Sequence, residues 1–162
     1  MFKQEYRELS VFKDLSNNQL VEIEPFIHFR NYPQRSVIFE QGQTAEYFYI
    51  LVNGFVEIIY KPYDGPELRV AHLSPGSLFG WSAALGRSHY TSAARAESDC
   101  ETCCMSYQEL QKICQNNPAT GVILLSRFSG LIAERLSSTH DQVFNILIER
   151  MGIDREHSGV TT

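Results

Sequence analysis

The sequence predicts a mainly β fold with flanking helices, in which an antiparallel β-roll of the jelly-roll (double-stranded β-helix) type is followed by a long C-terminal dimerisation helix. Short β-rich runs separated by glycine turns fill residues 36–105. From Pro118 onward no further proline occurs, and apolar residues recur with a helical period. Short strands at regular intervals are typical of sandwiches and rolls, whereas an uninterrupted helical pattern indicates one long helix.

The β part is defined by four turn signals, in which a glycine recurs every eleven or twelve residues: Gln41-Gly42, Asn53-Gly54, Asp64-Gly65 and Pro75-Gly76. The strand-like runs cover residues 37–39, 47–52, 55–60 and 68–73, and residues 92–96 and 102–105 complete the second half. Asn-Gly between two β-rich runs is a strong hairpin signal, because both central positions of a type I′ turn need a positive φ. The sequence therefore predicts a hairpin centred on Asn53-Gly54.

The helical parts lie at the two ends of the chain. Residues 2–30 are predicted to be helical, with a Ser-x-x-Gln capping box at residues 16–19 and apolar residues on one face. A second box at residues 106–109 opens a short helix through Ile113. Pro118 suits the first turn of a helix that runs to about residue 150 and ends near Gly152. At 1.5 Å per residue this helix spans on the order of 50 Å.

The expected organisation is a β-roll domain over residues 1–117, the long helix over 118–150 and a polar tail over 151–162.

The long helix carries an apolar seam with one polar member. Its spacing averages about 3.67 residues, which keeps the stripe on one side of a nearly straight helix. Such a stripe predicts a twofold homodimer, and packing against the chain's own β domain is the alternative. The predicted dimer interface consists of Leu125, Phe128, Ile132, Leu136, Thr139, Val143 and Leu147.

Composition narrows the classes of function. Hydrophobic residues make up 43% of the chain and charged residues 20%, as in an ordinary folded domain. The net charge is -5 and basic residues are scattered, which argues against direct nucleic-acid binding. No run of 18 apolar residues and no signal peptide is present, so we expect a cytoplasmic protein that does not enter a membrane.

The four cysteines, Cys100, Cys103, Cys104 and Cys114, lie within fifteen residues. A Cys-x-x-Cys-Cys run could hold a metal or a redox pair, which gives one hypothesis of a metal or redox sensor. No histidine has zinc-finger spacing, and the segment has the pattern of a strand. Buried, structural thiols are the favoured interpretation, and no metal site is predicted.

Several short segments carry a family resemblance that covers residues 9 to about 148. They are residues 39–42 (FEQG), residues 49–54 (YILVNG) followed by Val56, residues 74–76 (SPG), residues 79–80 (FG), and residues 133–136 (AERL) followed by Thr139, Val143 and Asn145. Together with the order of the elements, they resemble the cyclic nucleotide-binding domain of the catabolite activator and fumarate-nitrate reduction regulator family. The resemblance implies a dimer helix at the C-terminal end. The residues after Gly152 are too few for the winged helix-turn-helix domain of the family's regulators, so we expect either a stand-alone sensor module or a truncated regulator.

The resemblance also implies where a ligand would bind. In the family, a glycine opens a short helix facing the cyclic phosphate, a glutamate binds the ribose, and an arginine followed by Ser or Thr binds the phosphate. Gly80 and Thr91 match that pattern, but Trp81 stands at the glutamate position and Tyr90 at the arginine position. Loss of the arginine alone weakens phosphate binding by about ten- to a hundredfold.

Local side chains are candidates to replace the two missing charges. Arg87 and His89 either supply positive charge to the site or are solvated loop residues. Trp81 either stacks on a base or fills the empty pocket. Thr139 either faces the ligand or bonds back to its own helix. The candidate ligand-binding residues are Gly80, Trp81, Ser82, Arg87, His89, Tyr90, Thr91, Ser92 and Thr139.

The leading hypothesis is a non-catalytic, homodimeric sensing domain that binds a cyclic nucleotide or another small anion in the β-roll and signals through the dimer helix. The alternative is a degenerate domain that serves as a dimerisation or protein-docking scaffold without a ligand. No catalytic arrangement stands out, and no cofactor is expected apart from the ligand.

Overall fold

The computed structural model describes residues 3–152. Its residues fall into two compact units, one that extends to Phe128 and one that begins at Ser129. The first unit contains the sheets, the N-terminal helices and the beginning of the long helix, whereas the second contains the rest of that helix. Within residues 3–152, no helix combines the length and the apolar character needed to cross a membrane.

The N-terminal region is less helical than its sequence predicts. It forms α1 (Gln4–Arg7), α2 (Asn17–Ile23), a 3-10 turn (Glu24–Phe26) and then strand β1 (His28–Tyr32). The expectation of helix throughout residues 2–30 is therefore wrong over β1. Pro25 lacks the N–H that would continue α2, and the side chains from His28 onward alternate between half-buried and exposed, as in a strand.

The capping box that begins α2 is confirmed. The main-chain N–H of Gln19 donates to Ser16 Oγ at 3.2 Å, and Gln19 Oε1 accepts from the main-chain N–H of Ser16 at 2.9 Å. The two bonds satisfy two donors that have no partner within the helix.

Two four-stranded antiparallel sheets form the β-roll, which confirms the predicted fold class. After β1, the strands are β2 (Val37–Phe39), β3 (Tyr47–Asn53), β4 (Val56–Tyr60), β5 (Leu68–Leu73), β6 (Leu78–Phe79), β7 (Ala93–Ala96) and β8 (Cys100–Ser106). One sheet has the order β1-β8-β3-β6 and the other β2-β7-β4-β5. The two-residue strand β6 was not predicted, because so short a run has no readable period.

The Asn53-Gly54 turn does not make the predicted hairpin. Strand β3 lies in the first sheet and β4 in the second, so the turn carries the chain between sheets. Gly54 has a φ of +91°, and a Cβ there would lie 2.3 Å from the carbonyl oxygen of Asp99. Glycine is needed at this position for its conformation and for the close approach of the Asp99 backbone. The positive φ was correctly indicated by the sequence, but the pairing was not.

Both faces of β3 are buried, which explains its continuous apolar run. Tyr49 and Leu51 belong to the core inside the roll. Phe48 contacts Phe128 of the long helix, with ring centroids 5.2 Å apart. The interior of the roll is lined by Ile38, Phe39, Tyr49, Leu51, Val56, Ile58, Leu73, Phe79, Tyr90, Ala94, Ala96, Cys100 and Cys104.

The C-terminal helices have the predicted positions. Helix α3 (Tyr107–Asn116) begins with the expected capping box between Ser106 and Glu109, and α4 (Pro118–Arg150) follows. Glu109 uses its two oxygens differently, since Oε1 accepts from the main-chain N–H of Ser106 and Oε2 lies 2.7 Å from Nε2 of His28. Gly152 has a φ of +67° beyond the end of α4, as its sequence position indicates.

A buried polar contact ties the N-terminal segment to the first sheet. The hydroxyl of Tyr6, a side chain that is only 3% exposed, donates to Glu101 Oε1, and Asn53 Nδ2 donates to Glu101 Oε2 at 3.1 Å. The hydrogen bond from Tyr6 is the main cause that lowers the pKa of Glu101. Glu101 therefore prefers to be ionised in the folded protein.

We predict that Glu101 contributes to stability at neutral pH and that this contribution is lost in acid. Because its folded pKa lies below the unfolded value, the contribution is present above the unfolded pKa and disappears as the pH falls through the folded pKa. Glu101→Gln should lower the urea midpoint at pH 7 and flatten its fall between neutral and acidic pH. Glu67→Gln, at an exposed position, is the control. Parallel pH curves for wild type and Glu101→Gln would contradict the assignment.

Candidate functional site

The candidate site is the segment 80–92, which joins β6 to β7. It begins at Gly80, whose φ is +69°. A Cβ on Gly80 would lie 3.1 Å from the ring of Phe39 and 3.3 Å from the carbonyl oxygen of Tyr47. Both the conformation and the crowding therefore favour glycine, and they fix where the following turns leave the sheet.

Residues 81–86 form hydrogen-bonded turns and not the short helix that the family resemblance implied. The N–H of Leu85 donates to the carbonyl of Trp81 at 3.0 Å, and the N–H of Arg87 donates to the carbonyl of Ser82 at 2.9 Å. Within residues 3–152, the main-chain N–H groups of Ser82 and Ala84 have no acceptor, although Ser82 is buried. Main-chain N–H groups are strong donors, so these two are available to an anion.

Tyr90, at the position of the family's arginine, lies inside the roll and is 4% exposed. Its ring stacks on Phe39 with centroids 3.8 Å apart. Its hydroxyl accepts from the main-chain N–H of Tyr47 at 3.2 Å and donates to the carbonyl oxygen of the same residue. Burial is the main cause that raises the pKa of Tyr90 to about 12, so the phenol is neutral at physiological pH. Tyr90 thus supplies no charge, and its polar atom is already satisfied by the backbone.

The residues around Tyr90 are held against the 42–45 segment. The N–H of Gly42 donates to the carbonyl of Tyr90 at 2.8 Å, and the N–H of Tyr90 donates to the carbonyl of Gln43 at 3.0 Å. His89 forms an isolated antiparallel bridge with Thr44. These main-chain bonds fix the backbone of the segment while leaving several of its side chains at the surface.

The other predicted site residues divide by exposure. Arg87, His89 and Thr91 are exposed, and Nδ1 of His89 lies 2.8 Å from the hydroxyl of Ser88. Trp81 and Ser92 are partly buried. The segment therefore brings together a buried neutral phenol and exposed basic and hydroxyl groups. Thr139 lies in α4, but its side chain is outside the described part of the structure.

A cleft of about 490 Å³ opens beside the segment. We call it the loop cleft. One wall comes from residues 44–47, a second from the turns at 83–88, and the third from the first residues of α3. Its lining residues are Thr44, Ala45, Glu46, Tyr47, Ala83, Gly86, Arg87, Ser88, Ser106, Tyr107 and Gln108. Among the predicted ligand residues whose side chains the structure describes, only Arg87 lines the cleft.

The cysteines are structural in their setting. Cys100, Cys103 and Cys104 are buried and unpaired in β8, and Cys114 of α3 is partly buried. Burial is the main cause that raises the pKa of Cys103 to about 12 and that of Cys104 to about 11. Thiols of such high pKa are protonated at neutral pH and are poor nucleophiles and metal ligands. Residues 3–152 contain no group of three potential ligands that could hold a metal ion.

Arg95 belongs to an ion-pair network on the second sheet and not to the segment. Its Nε and Nη2 both lie 2.6 Å from Glu57 Oε1. On β5, at the edge of the same sheet, Arg69 Nη2 lies 2.7 Å and His72 Nδ1 lies 2.8 Å from the carboxylate of Glu97. Arg95 is therefore a salt-bridging residue of the second sheet.

The described residues of the predicted dimer seam of α4 differ in exposure, and one of them is corrected. Leu125, Leu136 and Leu147 are 44%, 58% and 50% exposed. Phe128 is only 5% exposed because it packs against Phe48 of the same chain, so it belongs to the monomer core. Ile132 is partly buried, and the side chains of Thr139 and Val143 are outside the described part of the structure.

The two antiparallel sheets, the glycine-initiated turns between β6 and β7 and the long helix define a β-roll of the cyclic nucleotide-binding class. The family model for the cyclic nucleotide-binding domain matches residues 29–117. The chain belongs to this family.

Individual relatives agree with this assignment. The cAMP-activated global transcriptional regulator CRP of Pasteurella multocida is 33% identical over 120 residues, which cover 74% of this chain and 56% of the relative. The chain thus spans about half the length of the curated relatives it matches. A putative cyclic nucleotide-binding protein from Geobacter metallireducens has a TM-score of 0.70 at 29% identity and covers 84% of this chain and 99% of its own. A cyclic nucleotide-binding domain from Methylobacillus flagellatus has a TM-score of 0.78 at 17% identity, with coverages of 88% and 80%, and supports the fold alone.

Sequence reasoning missed the loop cleft. Glu46 and Tyr107 are far from Arg87 in the chain, and no spacing in the sequence indicates that they share a cavity. The three walls of the cleft come together through two pairings. Tyr47 pairs with Ser106 across β3 and β8, and the backbone of residues 44–45 pairs with that of residues 88–89. Only knowledge of that register could have identified the cleft.

We predict that Tyr90→Phe destabilises the domain by about 1–3 kcal/mol, since the main-chain groups of Tyr47 lose their partner while the stacked ring remains. Urea denaturation of the two proteins measures the difference. The matched control is Tyr63→Phe, because the side chain of Tyr63 is fully exposed and should not contribute. An unchanged midpoint for Tyr90→Phe would show that these hydrogen bonds do not matter to the fold.

Proposed function

We propose that the chain is a non-catalytic, homodimeric regulatory domain that binds a small anion at the segment 80–92 and transmits binding to α4. The observation that carries this proposal is the pair of main-chain N–H groups at Ser82 and Ala84, which have no acceptor within residues 3–152. Such groups attract negative charge without help from side chains. Membership of the cyclic nucleotide-binding family makes a cyclic nucleotide the first ligand to test.

The side chains at the segment favour weak or altered recognition of a cyclic nucleotide. Trp81 and Tyr90 carry no charge where the family has a carboxylate and a guanidinium, and Tyr90 is held in the core by its bonds to Tyr47. Thr91 keeps the hydroxyl of the family pattern and is exposed. Arg87 and His89 make no ion pair with any residue between 3 and 152, so they remain the local source of positive charge.

A calorimetric titration tests the anion site. Wild type is titrated with cyclic AMP, cyclic GMP and inorganic phosphate, and Thr91→Ala is compared with Ser126→Ala, which removes an exposed hydroxyl from α4, outside the segment. We expect saturable heat with at least one anion, weakened by about ten- to a hundredfold in Thr91→Ala if the hydroxyl bonds a charged oxygen. Ser126→Ala should bind as wild type does. Absence of heat with all three anions would reject the proposal.

The second candidate function is a scaffold without a ligand, and the burial of Tyr90 favours it. The stacked phenol fills the interior where the family's arginine would need space, and the core around it is aromatic. A scaffold would form the same dimer but show no rise in melting temperature with any of the anions. The titration therefore separates the two candidates.

Dimer formation through α4 is common to both candidates. Leu136 and Leu147 expose apolar surface at positions that share one helical stripe, and covering such surface with a partner is favourable.

We predict that wild type is a dimer and that Leu136→Asp converts it to a monomer, as measured by light scattering after gel filtration. Ser137→Asp, on the next exposed position, introduces the same charge and should leave the dimer intact. A monomeric wild type would favour the alternative that α4 packs only within its own chain.

A further inference from the structure

The loop cleft contains two opposite charges that do not pair with each other. Glu46 and Arg87 are the charged members of its lining, and both are exposed. Within residues 3–152, neither side chain forms an ion pair or a hydrogen bond. On the second sheet of the same domain, in contrast, Arg95 pairs with Glu57. The cleft thus separates a guanidinium from a carboxylate and leaves both available.

The walls of the cleft fix where these two groups stand. The N–H of Ala45 donates to the carbonyl of Ser88 at 2.9 Å, so Glu46 and Arg87 extend from two backbone segments that are bonded to each other. Gly86 lies against the ring of Tyr107, because a Cβ at Gly86 would be 3.4 Å from that ring. The turn before Arg87 is therefore held beside the start of α3, and the charges are presented from a fixed backbone.

The remaining lining suits the uncharged part of a small molecule. The ring of Tyr107 and the methyl groups of Ala45 and Ala83 offer apolar contact. In the first turn of α3, the N–H of Glu109 donates to Ser106 Oγ, whereas the N–H groups of Tyr107 and Gln108 precede the first bonds within the helix and add donors on the side of Tyr107. A volume of about 490 Å³ lies within the range of cavities that bind small molecules and is too small for a folded partner.

We propose that the loop cleft binds a free α-amino acid with an apolar side chain. The ligand's carboxylate pairs with the guanidinium of Arg87, and its ammonium pairs with the carboxylate of Glu46. Its side chain lies against the ring of Tyr107. A ligand of one charge would meet a like charge in the cleft, whereas a zwitterion satisfies both groups at once. The cleft shares Arg87 with the segment 80–92, whereas Glu46 and Tyr107 lie outside that segment. Binding of an amino acid does not require the main-chain donors at Ser82 and Ala84, so this proposal does not depend on the proposed function.

The test is an NMR titration of the full chain with L-leucine and L-phenylalanine. We expect saturable shifts of amide signals from residues 44–47 and 83–88, with a dissociation constant of about 1 mM or tighter. N-acetyl-L-leucine lacks the ammonium and L-leucine methyl ester lacks the carboxylate, so each should bind at least about tenfold more weakly than L-leucine. No saturable shift up to about 10 mM, or binding of either analogue as tight as that of L-leucine, would overturn the proposal.

Charge-neutral variants localise the interaction. Glu46→Gln and Arg87→Gln should each weaken L-leucine binding by about tenfold. Glu67→Gln and Lys13→Gln remove the same charges from exposed positions outside the cleft and should bind as wild type does. Thr91→Ala tests the anion site and should leave L-leucine binding unchanged, so failure of one site is distinguishable from failure of the other. Binding that survives both cleft variants would also overturn the proposal.

Discussion

The hydrogen bonds between the phenol of Tyr90 and the main chain of Tyr47 are the constraint on which the site depends. They join the segment 80–92 to β3, one of the two inner strands of the first sheet, and the stacking of Tyr90 on Phe39 joins it to β2. A buried hydroxyl with both its donor and its acceptor satisfied is a strong anchor, because releasing it would leave polar groups without partners. The exposed residues on either side of Tyr90 owe their positions to this anchor.

This anchor also changes the electrostatics expected of the family. A guanidinium at the position of Tyr90 would bring a positive charge to the pocket, whereas the phenol brings none and cannot ionise near neutral pH. Any anion recognised here must therefore use the main-chain N–H groups at Ser82 and Ala84 or the exposed side chains. Recognition by backbone donors depends on the conformation of the turns, so the glycine at residue 80 matters as much as any charged residue.

The sequence predicted the elements of the fold better than their partners. Capping boxes at Ser16 and Ser106 and the start of α4 at Pro118 are local signals, and each has its predicted place. Asn53-Gly54 indicated a turn correctly, but which strands a turn joins depends on long-range pairing that no local pattern contains. Strand β1 was missed because the helical pattern before it has no break apart from Pro25.

The same limit applies to the candidate site. The match of Gly80 to the family pattern and the substitutions at residues 81 and 90 were visible in the sequence. The burial of the Tyr90 phenol and the convergence of residues 46 and 87 in one cleft were not. Sequence patterns report the neighbours of a residue along one element, whereas a site is made of neighbours across elements.

The two-sided contact of Glu109 has a consequence for the order in which the domain assembles. One oxygen completes the cap of α3, and the other meets His28 on the first strand, 81 positions earlier in the chain. Local capping is available as soon as α3 begins to form, but the contact with His28 requires that β1 has already aligned beside β8. Because closing so long a loop is slow compared with forming a helix turn, α3 reaches its final stability only when the first and last strands meet. Through Glu109, the full stability of α3 at the end of the roll depends on the docking of β1 at its beginning.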